Sequence, residues 1–267
     1  MPSTKMTKLE NLIQVLKPKK MEGDLNLKIR GITYNSQKVK KNDLFVAISG
    51  FRQDGHKYIP EALRKGACAI VAERNGDYQA KAKILVPNSR QGLALLSNRF
   101  FDYPSQKLRV IGVTGTNGKT TTTYLIKSIL EEDGKKTGLI GTIAYLIDDR
   151  KMPAINTTPE SLDLQEMFYE MQKQKVKNVV MEVSSHSLVL NRVLGIDFDI
   201  AVFTNLNREH LDFHKTMKNY REAKGLLFES LKWLHHKGKD KFAVLNKDDK
   251  NWRFFYKKSK VKKLTYS

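Results

Sequence analysis

The sequence predicts an α/β protein of two units: a small N-terminal α/β unit, then a larger P-loop-type unit with a mostly parallel sheet flanked by helices. Three observations carry that expectation. Apolar, β-rich runs alternate with amphipathic stretches along the whole chain. A glycine-containing turn joins such a run to a helical pattern within residues 110–126. Tyr103-Pro104-Ser105 then breaks the alternation at about the length of a small domain.

Taken in order, residues 1–106 read as the first unit. Its strands fall near residues 44–48, 69–72 and 84–86, with helical patterns at 58–65 and 90–101. The second unit, 107–267, begins with a strand at 108–113 and a helix that stops at Asp133-Gly134, glycine being a natural C-terminal stop. Later strands are expected at 178–183, 199–204, 242–246 and 261–266, with a helix at 218–232. The last strand ends with the chain, so the second unit reads as incomplete at its C-terminus.

Composition narrows the classes. The chain has 267 residues, 40% of them hydrophobic, enough for two ordinary globular cores. The longest unbroken apolar run, 67–72, is too short to cross a bilayer, and the opening residues lack the apolar core of a secretory signal. A cytoplasmic location and no membrane partner are expected. One cysteine, Cys68, lies inside that run, which points to a packed thiol and excludes an intrachain disulfide. The net charge of +20, from 48 Lys plus Arg against 28 Asp plus Glu, attracts polyanions. Basic stretches at 235–241 and 257–263 lie near Trp252, Phe254, Phe255 and Tyr256, which would suit base stacking. Lysines are nevertheless spread along every segment, the pattern of a solvated surface, and no nucleic-acid partner is expected.

The strongest motif is VIGVTGTNGKTTTTYLI, residues 110–126. Glycines at 115 and 118 let backbone N–H groups close on an anion, and the following helix adds favourable partial charge. In this reading the turn cradles the phosphates of ATP. Lys119 reaches the β/γ-phosphates and Thr120 offers a hydroxyl to Mg²⁺. Val113 stands where the first glycine of the usual spacing would be, so the loop is a shortened variant.

Ligands of parallel sheets collect at the carboxyl ends of strands. Two such ends carry chemistry: VVMEVSSH with Glu182, Ser184, Ser185 and His186, and AVFTNLNREHLDFH with Asn205, Glu209, His210, Asp212 and His214. A transition-metal site at the two histidines lacks cysteine and is discounted in favour of Mg²⁺ with oxygen ligands; His214 is expected to be an ordinary surface histidine. Lys224 has Tyr220, Leu227, Phe228 and Leu231 at helical spacings, which puts it on the apolar face of its helix. A buried lysine is driven toward its neutral, nucleophilic form; a lysine snorkelling at the stripe's edge fits the periodicity equally. In INTTPESLDLQEMF, Thr158 is expected to cap a helix and Pro159 to open it, leaving Asn156 and Thr157 without a structural reason.

Together the segments YNSQKVKKNDLFVAISG, GVTGTNGKTTT, NTTPESLDLQ, MEVSSHSLVLNRV, NLNREHLDFH and YREAKGLLF resemble the Mur ligase family, and within it the MurE type. GTNGKT alone marks the wider group that includes folylpolyglutamate synthase. The resemblance implies a UDP-binding first unit and an ATP-dependent, ADP-forming ligase. Such enzymes add a third amino acid, diaminopimelate or lysine, to UDP-N-acetylmuramoyl-L-alanyl-D-glutamate through an acyl phosphate during peptidoglycan synthesis.

It implies that Ser36, Phe51, Arg52 and Gln53 contact the UDP moiety, that Gly115, Thr116, Asn117, Gly118, Lys119, Thr120 and Thr121 hold ATP, and that Asn156, Thr157, Thr158, Ser184 and Arg192 bind the muramoyl peptide. Thr120, Glu182 and His210 would hold Mg²⁺, with Lys119, Lys224 and His210 as catalytic residues and Lys224 carbamylated. The chain departs from the family pattern at Asn35-Ser36-Gln37, at Leu190 and at Glu209. Such ligases carry a further amino-acid-binding domain, absent here, so weak or no turnover is expected. Two other readings stay open: a related ligase acting on folate or another muramoyl substrate, and a nucleic-acid-binding P-loop protein.

Overall fold

The computed structural model describes residues 6–50, 53–147, 150–232 and 240–267. It divides into two units, Met1–Asp102 and Tyr103–Ser267.

In the first unit, β1 (Thr7–Lys8) leads into α1 (Leu9–Ile13) and then β2 (Lys20–Gly23). The strands β3 (Lys28–Ile29), β4 (Gly31–Thr33) and β5 (Asp43–Val46) follow, with α2 (Ile59–Arg64), β6 (Ala67–Ala72), β7 (Ala82–Leu85) and α3 (Ser89–Phe100) after them. β1 pairs with β3, and the main sheet has the order β2-β7-β6-β5-β4. It is parallel except for the edge strand β2. Every residue of β6 is buried, which is why it reads as a continuous apolar run rather than an alternation. The packed thiol expected at Cys68 is found there: 6% exposed, its Sγ 3.7 Å from the Asp43 carbonyl and its pKa raised by burial. The pattern at 58–65 is helical from Ile59. A 3₁₀ turn, Gly55–Tyr58, precedes it, started by the Asp54 carboxylate accepting from the His56 N–H.

The second unit is built on β8 (Arg109–Thr114), which turns into α4 (Lys119–Glu132). Then come β9 (Thr137–Ile140), β10 (Ala144–Ile147), β11 (Arg150–Pro153), α5 (Ser161–Lys173) and β12 (Asn178–Glu182). The remainder is α6 (Ser185–Val189), β13 (Ile200–Phe203), α7 (Leu211–His214), α8 (Met217–Ser230), β14 (Phe242–Asn246), α9 (Trp252–Lys258) and β15 (Lys262–Tyr266). Among the described residues eight strands form one sheet in the order β11-β10-β9-β12-β8-β13-β14-β15. From β9 to β15 neighbours are parallel, while β10 and β11 form an antiparallel edge that the sequence reading did not anticipate.

β8 lies between β12 and β13: from β8 the chain goes to β9 and then β12 on one side, and it crosses to β13 on the other. The carboxyl ends of these three strands therefore open beside one another, the crevice where parallel sheets bind ligands. The buried carboxylate of Asp199 accepts from the Val110 N–H at 2.7 Å and ties the start of β8 to β13. Glycine at 112 brings the sheet close to its cover: a Cβ there would come within 2.8 Å of the Phe198 ring and 3.2 Å of Leu227.

Two local expectations are corrected. Thr158 does not cap α5; Glu160 does, accepting from the Ser161 N–H at 3.1 Å, and Pro159 lies ahead of the helix. The Thr158 hydroxyl is engaged elsewhere. His214 is no surface residue but 5% exposed, because α7 folds back against α8 and puts its last side chain inward. The unit boundary also falls four residues earlier than residue 106. The 3₁₀ turn Pro104–Lys107 packs on α5, and the Ser105 hydroxyl accepts from the Asp197 N–H at 3.1 Å.

Candidate functional site

The loop between β8 and α4 is held open by its neighbour. Asn205, just past β13, accepts from the Asn117 N–H at 2.9 Å through its side-chain oxygen and donates to the Asn117 carbonyl at 3.1 Å. Its main-chain oxygen accepts from the Thr116 N–H, and the Thr204 hydroxyl donates to the Asn117 carbonyl at 2.7 Å. Gly115 makes this approach possible: its φ is +155°, and a Cβ there would sit 1.9 Å from the Thr204 oxygen. Gly118 has φ +80° and precedes the first turn of α4. Asn117, Gly118 and Thr121 are exposed, Lys119 and Thr120 half-buried. The result is a braced, solvent-open turn at a helix N-terminus, suited to an anion.

Two lysines converge beneath it. Lys119 Nζ donates to the carbonyls of Gly115 at 3.0 Å and Thr116 at 2.7 Å. Lys224 Nζ donates to the same Gly115 carbonyl at 2.8 Å and lies 4.5 Å from the centre of the Tyr220 ring. At 1% exposure Lys224 faces inward, which settles the ambiguity left by periodicity. Burial, with the Lys119 charge added, pulls its pKa down to about 7. Lys119 is also lowered by burial, opposed by the charges of Glu182 and Glu209. Tyr220 in turn is pushed up to about 12, chiefly by burial, and its phenol lies 3.2 Å from the Thr116 hydroxyl.

Across the crevice, Glu182 ends β12 at 1% exposure. Its Oε1 accepts from the Thr120 hydroxyl at 2.9 Å and the Thr142 N–H at 2.8 Å, and its Oε2 accepts from the Thr142 hydroxyl at 3.1 Å. The Thr142 hydroxyl also meets that of Thr157 at 3.1 Å. Beside it, the Thr158 hydroxyl donates to the Glu182 carbonyl at 2.9 Å and accepts from the Ser184 N–H. Arg192 donates to the Thr158 carbonyl at 3.1 Å, and its guanidinium lies 3.5 Å from Glu160. Thr120, Thr157, Thr158, Glu182, Ser184 and Arg192 thus form one connected polar wall.

Asn156 is exposed at its edge, with its backbone fixed by Tyr145, whose hydroxyl donates to the Asn156 carbonyl at 2.6 Å. Thr142 and Tyr145 were missed by the sequence reading. They belong to the antiparallel edge, and no motif marked them.

His210 is exposed and left-handed, φ +55°, with its ring edge-on to His186 at 4.8 Å and 3.5 Å from the Glu209 carboxylate. His214 donates to or accepts from the Ser185 hydroxyl at 2.9 Å, and burial takes its pKa down to about 4. Among the described residues no three His, Cys, Asp or Glu side chains are grouped to hold a metal ion. Of the expected metal ligands, the structure brings together Thr120 and Glu182, an all-oxygen pair of the kind Mg²⁺ takes.

In the first unit, Ser36 is buried at the start of a 3₁₀ turn and Gln53 is exposed. Phe51 and Arg52 lie outside the described residues, as does most of the basic stretch 235–241.

The family model described as Mur ligase middle domain matches residues 113–267, and that described as Mur ligase family, catalytic domain, matches 28–101. The chain belongs to the Mur ligase family. Among its relatives is UDP-N-acetylmuramoyl-L-alanyl-D-glutamate--2,6-diaminopimelate ligase of Caldanaerobacter subterraneus subsp. tengcongensis, 48% identical over 96% of this chain and 52% of the relative. The Bacillus velezensis protein of the same name is 45% identical over 97% of this chain and 53% of its own. This Mur ligase chain therefore spans about half the length of the curated relatives it matches.

A solved structure with that ligase name superposes with a TM-score of 0.81 at 29% identity, covering 98% of this chain and 53% of the other. MurF ligase from Thermotoga maritima, solved in complex with ADP, gives a TM-score of 0.58 at 26% identity over 88% of this chain and 49% of the other. Among the described residues no helix is long and apolar enough to cross a membrane.

Proposed function

We propose that this chain is the UDP- and ATP-binding portion of an ADP-forming ligase. Its reaction adds diaminopimelate to UDP-N-acetylmuramoyl-L-alanyl-D-glutamate in peptidoglycan synthesis, in the cytoplasm. The observation that carries the reading is the braced loop at Lys119 facing the Glu182 wall across the ends of β8, β12 and β13. The names of the relatives and the ADP in the Thermotoga maritima structure support it.

A carboxylate and an amine form a salt at neutral pH, so the acid must be activated first. The D-glutamyl carboxylate attacks the γ-phosphorus of ATP, ADP leaves, and an acyl phosphate forms; the amine then attacks the acyl carbon and inorganic phosphate leaves. The loop N–H groups and Lys119 hold and neutralise the phosphates, work for which Lys119 must leave its own loop carbonyls. Arg192, Ser184, Thr157 and Asn156 orient the peptide carboxylate. Thr120 and Glu182 would hold Mg²⁺, with His210 at the edge of the site, and the ion would supply further neutralisation of phosphate charge.

Lys224 beneath the loop is an amine near its neutral point at pH 7, the state that adds CO₂. Its carbamate would replace a second cation at the Gly115 carbonyl with an anion.

The test is calorimetric titration of the chain with ATP–Mg²⁺ and with UDP-muramoyl-dipeptide, in the wild type and in Lys119→Ala. Saturable binding of both ligands is expected, with ATP binding weakened roughly 10- to 100-fold in the variant and UDP-muramoyl-dipeptide binding unchanged. Absence of both from the folded wild type overturns the reading.

A further inference from the structure

Thr142 lies exposed in the turn between β9 and β10, at the point of the polar wall where Glu182 and Thr157 come together. Its main chain is fixed. The Thr142 N–H donates to Glu182 Oε1 at 2.8 Å, the oxygen that also accepts from the Thr120 hydroxyl at 2.9 Å. Its side chain has a choice. The hydroxyl oxygen lies 3.1 Å from Glu182 Oε2 and 3.1 Å from the hydroxyl oxygen of half-buried Thr157. A threonine hydroxyl carries one proton and serves one of these acceptors at a time.

Two arrangements follow. With no cation on Glu182, the Thr142 proton goes to Oε2, because a hydrogen bond to a charged acceptor is about twice as strong as one to a neutral hydroxyl. Thr157 then donates its own proton to the Thr142 oxygen, and what it offers a ligand is lone pairs. A cation on Glu182 takes up the carboxylate charge, and the advantage of that acceptor is gone. The Thr142 proton turns to Thr157, whose own proton is released for a ligand. Only the two hydroxyl protons reorient. A peptide carboxylate accepts and cannot donate, so the first arrangement repels it and the second binds it.

We propose that Thr142 is a positioning residue that couples the nucleotide and peptide pockets: Mg²⁺–nucleotide binding at Glu182 makes Thr157 a hydrogen-bond donor to the peptide carboxylate. The inference rests on the ligase reading above and adds to it the residue through which one pocket senses the other. The coupling is reciprocal, because both ligands favour the same arrangement of the two hydroxyls.

Isothermal titration of the whole chain with UDP-muramoyl-dipeptide measures the coupling without turnover. One titration is run on the chain alone, the other with saturating Mg²⁺ and the non-hydrolysable β,γ-imido analogue of ATP. The wild type is expected to bind the dipeptide at least about fivefold more tightly in the second, the lower end of the usual coupling between sites. Thr142→Val keeps the shape and the main-chain N–H and removes the shared proton; its gain is expected to be about twofold or less. Thr142→Ser keeps the proton and is expected to keep the gain.

A merely structural role for Thr142 would weaken the dipeptide equally in both titrations and leave the gain of the valine variant at its wild-type size. That result overturns the inference, as does loss of the gain in the serine variant, which would trace it to the methyl group. If the folded wild type binds neither ligand, the ligase reading falls and the inference with it. If the wild type binds both ligands independently, only the inference falls.

Discussion

The two lysines under the nucleotide loop share the Gly115 carbonyl and a pKa lowered by burial, and they differ in how deeply they are buried. Lys119 is half-buried and bonded to the carbonyls of its own loop, and one of these, that of Gly115, keeps Lys224 as a donor when Lys119 is removed. Lys119→Ala is expected to weaken ATP binding roughly 10- to 100-fold, the worth of a hydrogen bond to a charged group, with little change in thermal stability. Lys224 is the reverse case.

Its folded pKa of about 7 lies below the unfolded value near 10.5, so between those limits the unfolded chain binds more protons than the folded one. Burying the ammonium therefore costs most at pH 7 and below, and the cost disappears as pH rises toward 10.5. Lys224→Met, which keeps the volume and leaves the Gly115 carbonyl bonded to Lys119, is expected to be more stable than wild type at pH 7. Urea denaturation should find that advantage shrinking steadily from pH 7 to pH 10. An advantage that does not change with pH would mean that the ammonium is not the costly group.

At the scale of elements, the loop depends on the register between β8 and β13, because the Thr204 and Asn205 side chains brace it from the neighbouring strand end. Gly115→Ala drives a methyl into the Thr204 hydroxyl and is expected to destabilise the second unit by roughly 1–3 kcal/mol while abolishing ATP binding. Chemical denaturation and titration on the same sample check both.

This dependence also explains what could be read in advance. The parallel strands β8, β12, β13 and β14 are short apolar runs followed by chemistry, and each was legible to within a residue or two. So was the inward face of α8, because Tyr220, Leu227 and Phe228 repeat at helical spacing around Lys224. The antiparallel β10–β11 edge was not. The sequence AYLI, then RKMP across two residues outside the description, is short and half polar, and such a hairpin is recognisable chiefly by its pairing partner. Thr142 and Tyr145 went unnoticed for the same reason: their roles come from Glu182 and Asn156, distant in sequence. Thr158 misled because a threonine before a helical pattern fits a cap. The wall offered it the Glu182 carbonyl, and Glu160 took the capping position instead.

For the whole molecule, the division into Met1–Asp102 and Tyr103–Ser267 gives each unit its own sheet, and the proposed function gives each its own nucleotide. Ligand linkage makes that division measurable in the intact chain. A ligand at a hundredfold excess over its Kd adds about 2.7 kcal/mol to whatever it binds, which raises the melting transition of units this size by roughly 5–20 °C. Differential scanning calorimetry is therefore expected to resolve two transitions, one raised by UDP and the other by ATP–Mg²⁺. Lys119→Ala should cut the ATP shift to about half or less and leave the UDP shift intact, because its contacts lie wholly in the second unit. Ser36→Ala should do the converse. A single transition raised equally by either nucleotide would mean that the units unfold as one, and the assignment of UDP to the first would then lose its thermodynamic support.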